Sequence, residues 1–507
     1  MDNSKVVRAI TSVTCVMILV KLLAMLRNIL QARLFGAGAD VDAFTLANNY
    51  SHSLFTTICY ALCIAAIPIF SQRLLESRQA CYRAADEIVT NTVVLSLGIT
   101  GILILLTGMG VMDGVGGLQE QLPLFRFCFM VMVAALPIIT LTYLLLSLFQ
   151  AMGHFNLQGC LSLLYNIFLC GVLLFAGDRL DLRLFAVLVS GCWLLQLAMT
   201  FPSMKKEGYR PRLHLNLKKR EYWAFLRLGV MTTYNSAIFL LCYLVNARFA
   251  AQTAEAGTLS SFYYADMLYE PLTTSLIYSI SIVMFPQFSQ KYVQMKEDAY
   301  RQYVVLVLKN AMLYILPVSL LFWAFGTPII RVLFEGGNFN AGDTLLCGRV
   351  FSLYSLGMVG FFLLDLLTKA YYAMGKTVLP LVFSSVVLVL CGGSNALFVW
   401  LAPDRPELLA FSTSLSMLMV GIAAYIGFSR AGKISIPKKE LLWGTGLSIL
   451  LGMGARILYV QFFETSSKGW LVIQCGCVGV VAILLYLLLM GSMIPSREIL
   501  QKLRRRK

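Results

Sequence analysis

Two cations stand six residues apart inside an apolar run, Lys21 and Arg27 in VKLLAMLRNILQARLF. An ionisable group at the centre of a spanning helix costs about 2.5–3.5 kcal/mol, so such groups face a cavity or a partner. Six residues advance about 9 Å along a helix and turn it about 240° net. For both cations to meet one ligand, the helix must kink or the cavity must open on two sides. Arg33, near the helix end, can snorkel to the interface instead. Further on, Tyr263, Asp266 and Glu270 follow i, i+3, i+7 spacing and share a face. Two carboxylates one turn apart suit a cation or proton site. They equally suit counter-ions to Lys21, Arg27 or Arg248. Asp365 and Lys369 are i, i+4, the spacing of an internal ion pair. Asp40 and Asp42 fall where a second helix begins, where an N-cap is the ordinary role. His52 lies inside an apolar segment, and the other two histidines lie in loops. Nothing pairs a nucleophile with a base, and no glycine-rich phosphate cradle precedes a soluble helix. These residues bind and balance charge; they are not a catalytic set.

The elements that must carry them are membrane helices. Hydrophobic residues make up 59% of the 507 and charged residues 13%, with a mean hydropathy of +0.77. Soluble domains are nearer half apolar and one quarter charged. Continuous apolar runs of about 20 residues, without period-2 alternation, predict an all-α polytopic membrane protein rather than a barrel. Fourteen spans are expected, near 6–35, 42–72, 89–108, 125–152, 159–176, 183–204, 222–250, 260–290, 303–325, 344–374, 379–401, 407–429, 441–460 and 469–491. The first reads as a retained span, since no small-residue cleavage site follows Lys5 and Arg8. Thirteen cysteines form no disulfide or zinc spacing; most, such as Cys15, Cys59, Cys63, Cys170, Cys192 and Cys391, sit in apolar runs as small hydrophobes.

Net charge is +16, but its distribution excludes a nucleic-acid surface. With both termini cytoplasmic, 26 of the 41 basic residues fall on the inner side and five on the outer. That split follows the positive-inside rule and requires an even number of spans.

Internal repetition then divides the chain. Ala32-Arg33-Leu34-Phe35 returns as Ala247-Arg248-Phe249. Pro68-Ile69-Phe70-Ser71-Gln72-Arg73 returns 218 residues on as Pro286-Gln287-Phe288-Ser289-Gln290-Lys291. Gln150-Ala151-Met152-Gly153 resembles Tyr372-Ala373-Met374-Gly375, offset by 222. The expected domains are a six-helix lobe at 1–204, a basic linker at 205–221, a second six-helix lobe at 222–429, and two further spans with a basic tail at 430–507. A parallel repeat of this kind places a transport site between two lobes. The linker could also lie on the anionic cytoplasmic leaflet.

Four stretches carry a resemblance to a known family: LRNILQARLFGAGADVDAF at 26–44, SFYYADMLYEP at 261–271, VLFEGGNFNAGDT at 332–344 and AYYAMGKTVLP at 370–380. They resemble the MurJ (MviN) family of lipid II flippases, within the multidrug/oligosaccharidyl-lipid/polysaccharide exporter superfamily. The resemblance implies a V-shaped, two-lobed transporter of the bacterial plasma membrane that moves lipid II by alternating access. Lipid II and membrane lipids are the implied partners, with the cell-wall synthesis machinery behind them. Lys21 and Arg27 fall on functionally important basic positions and would hold the diphosphate, Lys21 replacing the usual Arg. Asp42 and Glu270 match acidic positions and, with Asp266, would gate or balance charge.

Departures from the pattern are specific. Phe55, Tyr60 and Ala61 stand where the family has a basic residue and a Glu-Gly pair. Met267 stands for an Arg, and Asp365 for a basic residue. Arg248 or Lys369 could replace the missing cavity cations. A sodium site proposed for some members needs an Asp one turn after an Asn; Asn395 is followed there by Val399, so no metal is expected. No cofactor is expected either, and coupling to the membrane potential or to an ion gradient of unspecified ion stays open. The departures keep two rivals in view: a flippase for another undecaprenyl-linked glycan, and a drug/cation antiporter of the same superfamily.

Overall fold

A computed structural model of the chain describes residues 3–111, 120–154, 156–216, 220–250, 257–376, 378–434, 438–463 and 467–490. Among them the elements are helices, with no strand. Hydrocarbon offers no partner to backbone N–H and C=O groups, so each spanning segment must satisfy its own. Ten helices are long and apolar enough to cross a membrane, or eleven if one bent pair is a single span.

By contact the chain divides into two compact units, Met1–Ser260 with Gly337–Phe339, and Ser261–Gly336 with Asn340–Lys507. The first holds α1 (Asn3–Phe35), α2 (Ala39–Asn48), α3 (Leu54–Glu76), α4 (Arg78–Gly108), α5 (Leu122–Ala134), α6 (Leu136–Ala151), α7 (Asn156–Phe175), α8 (Leu182–Ala198), α9 (Phe201–Glu207) and α10 (Arg220–Ala250). α1 packs on α7, and α3 packs on α4, α6 and α10. Ala65, Ala66 and Phe70 of α3 join Cys81 and Ala85 of α4, Leu148 and Phe149 of α6 and Phe225 of α10 in one buried core. α2 and α3 form a continuous 38-residue rod, Ala39–Glu76, joined by a π-helical turn at Asn49–Ser53.

The second unit's helices are α11 (Thr258–Gln294, whose first turn through Ser260 belongs to the first unit), α12 (Glu297–Ala324), α13 (Gly326–Leu333), α14 (Ala341–Ser355), α15 (Met358–Ala373), α16 (Val378–Leu401), α17 (Leu408–Ala431), α18 (Lys438–Leu458) and α19 (Lys468–Met490). α12 packs on α14, α15, α17 and α18. Arg301 of α12 is buried: its Nη2 donates to Glu297 at 2.7 Å, its Nη1 reaches the Phe428 carbonyl at 3.4 Å, and its guanidinium lies 4.8 Å from the Phe428 ring centroid. Lys309 of α12 pairs with Glu440 of α18. The expected span 344–374 is α14 and α15, bent by 41°.

Between membrane helices, close packing rather than water exclusion supplies the attraction, so small residues mark contacts. A Cβ added at Gly360 of α15 would lie 2.4 Å from the backbone carbon of Met417 on α17. Backbone cannot rotate away as a side chain can. Gly360→Ala is therefore expected to cost about 1–3 kcal/mol through overpacking. Gly393→Ala on α16, where a Cβ meets nothing within 4 Å, is expected to be neutral or mildly stabilising. Thermal unfolding of the two purified variants in detergent checks this; equal midpoints would remove the close-packing argument.

Candidate functional site

α1 carries both cations of the sequence motif. Lys21 is exposed and Arg27 half-buried. Arg27 is held in place: Nη2 and Nε donate to Asn28 Oδ1 at 2.9 and 3.3 Å, and the guanidinium lies 5.2 Å from the centroid of Tyr165 on α7. A cation over an aromatic face keeps its charge while losing part of its water. Arg33 is exposed at the helix end. Asn338 donates its backbone N–H to the Arg33 carbonyl at 2.9 Å and its Nδ2 to the Leu34 carbonyl at 2.5 Å. Two of the carbonyls a helix leaves orphaned at its C-terminus are thus satisfied by a residue 304 positions away from Leu34. Gly337 permits this approach: its φ is +60°, and a Cβ there would lie 2.3 Å from the Arg33 oxygen.

The π turn between α2 and α3 builds a polar patch that no charge spacing marks in the sequence. Asn49 Nδ2 donates to Tyr243 OH of α10 at 3.1 Å, and Thr56 and Thr57 hydroxyls both donate to the Ser53 carbonyl, at 3.0 and 2.9 Å. His52 Nε2 accepts from the indole Nε1–H of Trp193 on α8 at 2.8 Å, which puts a neutral imidazole's proton on Nδ1. Trp193 lies 5.6 Å from Tyr143, and Tyr143 6.1 Å from Tyr60, ring to ring. The signal was present in Asn48-Asn49-Tyr50-Ser51-His52-Ser53, six polar residues in an apolar span. π turns gather at functional positions because the extra residue redirects side chains.

Asp42 is buried, and neither it nor Asp40 caps α2. The N-cap there is Gly38, with no side-chain bond. Instead Asp42 Oδ2 accepts from Gly257 N at 2.8 Å and Oδ1 from Ser260 N at 2.7 Å, so its carboxylate caps the start of α11. Helix N-termini favour negative charge, which offsets part of the cost of burying this one. Asp40 is exposed and lines a cavity of about 630 Å³ with Glu120, Asp181 and Arg183.

The remaining charges fall in two places. Arg248, on α10, is exposed. In the second unit Asp266 is half-buried and Glu270 exposed, one turn apart on α11. Lys369 Nζ pairs with Asp365 Oδ1 at 2.5 Å, and the Ser281 hydroxyl of α11 donates to Asp365 Oδ2. This ion pair is internal to α15. Among the described residues no group of three or more His, Cys, Asp or Glu could hold a metal ion. Among the described residues the first unit thus offers the two cations of α1, fixed hydrogen-bond donors and an imidazole whose Nε2 is already taken.

The chain is similar to known proteins along most of its length. The profile of the family described as "Lipid II flippase MurJ" matches residues 31–477. A probable lipid II flippase MurJ of Buchnera aphidicola is 24% identical over 477 residues, covering 91% of each chain. The lipid II flippase MurJ of Burkholderia cenocepacia is 24% identical over 438 residues, covering 84% of each. Among solved structures, a lipid II flippase MurJ in an inward closed conformation superposes with a TM-score of 0.78 at 18% identity, covering 95% of this chain and 99% of that one. An inward-facing multidrug resistance transporter of the MATE family gives 0.66 at 11% identity, covering 82% and 94%.

Proposed function

The chain belongs to the MurJ family of lipid II flippases, and from that premise we propose that it carries lipid II, the undecaprenyl-diphosphate-linked peptidoglycan precursor, from the inner to the outer leaflet of the bacterial plasma membrane by alternating access. It is a transporter, not an enzyme. The family match across nearly the whole chain carries this reading. Lys21 and Arg27 hold the diphosphate, because moving that group through hydrocarbon requires compensating charge at mid-depth. Asp42, Asp266 and Glu270 gate the cycle or balance charge, and Arg248, Asp365 and Lys369 are the further cavity charges. The chain crosses the membrane fourteen times, in two six-helix lobes (1–204 and 222–429) joined by 205–221 and followed by two further helices. Both termini lie in the cytoplasm, the orientation that the excess of basic residues in alternate loops favours. The proposed partners beyond lipid II are membrane lipids and the cell-wall synthesis machinery.

The test is replacement of a host's essential lipid II flippase by this protein, scored by growth and by outward exposure of lipid II. Both are expected to be restored. Failure of both, with the protein correctly inserted, would overturn the lipid II assignment and point to another undecaprenyl-linked glycan.

A further inference from the structure

The segment that follows α9 is extended, from Tyr209 to Asn216, and lies along α4. No neighbouring strand holds it; side chains of α4 do. Asp86 Oδ1 accepts from Tyr209 OH at 2.8 Å and from Arg212 N at 3.1 Å. Thr90 Oγ1 accepts from His214 N at 3.2 Å. Asn91 accepts from Asn216 N and donates to the Asn216 carbonyl, each at 2.9 Å. Every second backbone N–H, at 212, 214 and 216, therefore turns inward onto one helix. Burial, then the bond to Asp86, pushes the Tyr209 hydroxyl's pKa above its ordinary value, so this anchor keeps its proton.

The strap's outward side is basic and apolar together. Arg210 and Arg212 are exposed, Leu213 is 94% exposed and Leu215 60%. In its last turn α9 adds exposed Lys205 and Lys206, and Phe201 at its start is 50% exposed. The nearby acids are already engaged. Glu207 takes His154 Nε2 at 2.7 Å and Arg78 at 3.3 Å; Asp86 holds the strap; Glu87 faces His214 at 3.8 Å. The level in the membrane follows from α4 itself. Asn91, which holds Asn216, is one turn before Val94 and Leu95, which with Leu97 are exposed apolar residues of that helix. With the expected span at 89–108, Leu213 and Leu215 fall near the boundary between hydrocarbon and head groups, with the cations on the same segment. A cavity of about 390 Å³ lies at the strap's first residues, against α9, lined by Phe201, Met204, Lys205, Tyr209, Arg210 and Pro211.

We propose that the strap and α9 form a docking site for an anionic phospholipid of the cytoplasmic leaflet. The head-group phosphate enters the cavity between Lys205 and Arg210, and the acyl chains run along Phe201, Leu213 and Leu215. Charge complementarity selects the lipid, and the exposed leucines distinguish this surface from one that takes a soluble anion. The leaflet follows from the proposed topology; the site itself does not depend on what the protein transports.

The experiment is native mass spectrometry of the full chain in detergent, titrated with phosphatidylglycerol or phosphatidylcholine. Near an anionic surface each basic residue is worth about fivefold in binding, less where screened. The variant Lys205→Gln, Lys206→Gln, Arg210→Gln, Arg212→Gln is expected to bind its first phosphatidylglycerol at least about tenfold more weakly, with phosphatidylcholine unchanged. Leu213→Ser, Leu215→Ser is expected to lose about threefold while keeping selectivity. All six side chains are outside the buried cores, so both variants are expected to elute as the native species does. Wild-type affinity for phosphatidylglycerol in the fourfold variant overturns the proposal. So does displacement of the lipid by millimolar inorganic phosphate, or tighter binding of an acidic peptide than of the lipid. Because the assay is run in detergent without lipid II, failure of the flippase reading would leave its outcome untouched.

Discussion

Cells depleted of their own lipid II flippase and supplied with the Lys21→Ala, Arg27→Ala variant are expected to stop growing, although the protein accumulates in the membrane as the wild type does. Hydrogen bonds to charged groups are worth about 1.5–3 kcal/mol each, so losing two cationic contacts weakens the hold on a diphosphate by roughly 10²–10⁴-fold. The single variants should differ. Arg27 is fixed by Asn28 and stacked over Tyr165, so Arg27→Lys keeps the charge but loses the planar fork and the stacking. Its transport is expected to fall by about tenfold or more. Lys21 has a point charge already, and Lys21→Arg should be tolerated. Outward exposure of lipid II in each strain is the readout. Normal growth of the double variant would end the assignment of the diphosphate to α1.

The second large effect belongs to Asp42. Its two carboxylate oxygens serve Gly257 N and Ser260 N in a buried place. Asp42→Ala leaves both donors without an acceptor, at about 1–3 kcal/mol each. Asp42→Asn keeps one oxygen and loses the charge-assisted part, so it should fall between alanine and wild type. Thermal unfolding in detergent gives the stability order, and flippase rescue gives the functional one. If asparagine proves as damaging as alanine to stability, the charge matters there rather than the cap. Loss of rescue with unchanged stability would instead make Asp42 a switch element with no structural load.

Local features were legible in the sequence, and contacts across long separations were not. Apolar runs of about 20 residues announced the helices, because hydrocarbon leaves the backbone no other choice. The pairing of Asp365 with Lys369 was readable because i, i+4 spacing is a property of the helix itself. The partners of Asp42 were not, since Gly257 and Ser260 lie 215 and 218 residues away. Asn338 at the end of α1 is a similar case. Trp193, which donates to His52 across 141 residues, carries no mark of that role within its apolar run. The bend between α14 and α15 had only Gly357 to mark it, with no proline, and a lone glycine in an apolar run does not predict a kink.

The π turn at Asn49–Ser53 also fixes an angular phase. An inserted residue rotates everything after it by about 100° relative to an unbroken α-helix. On α3 the buried residues Phe55, Cys59, Cys63, Ala66 and Phe70 form one stripe, and Tyr60 and Ile64 look outward. The same residues wound as an unbroken α-helix would keep their composition, yet would turn that stripe about a quarter of the way around, toward the side where Tyr60 and Ile64 are exposed. The five residues therefore work as a rotary setting between two rods: the turn absorbs one residue and holds the phase of α3, which hydropathy alone does not register.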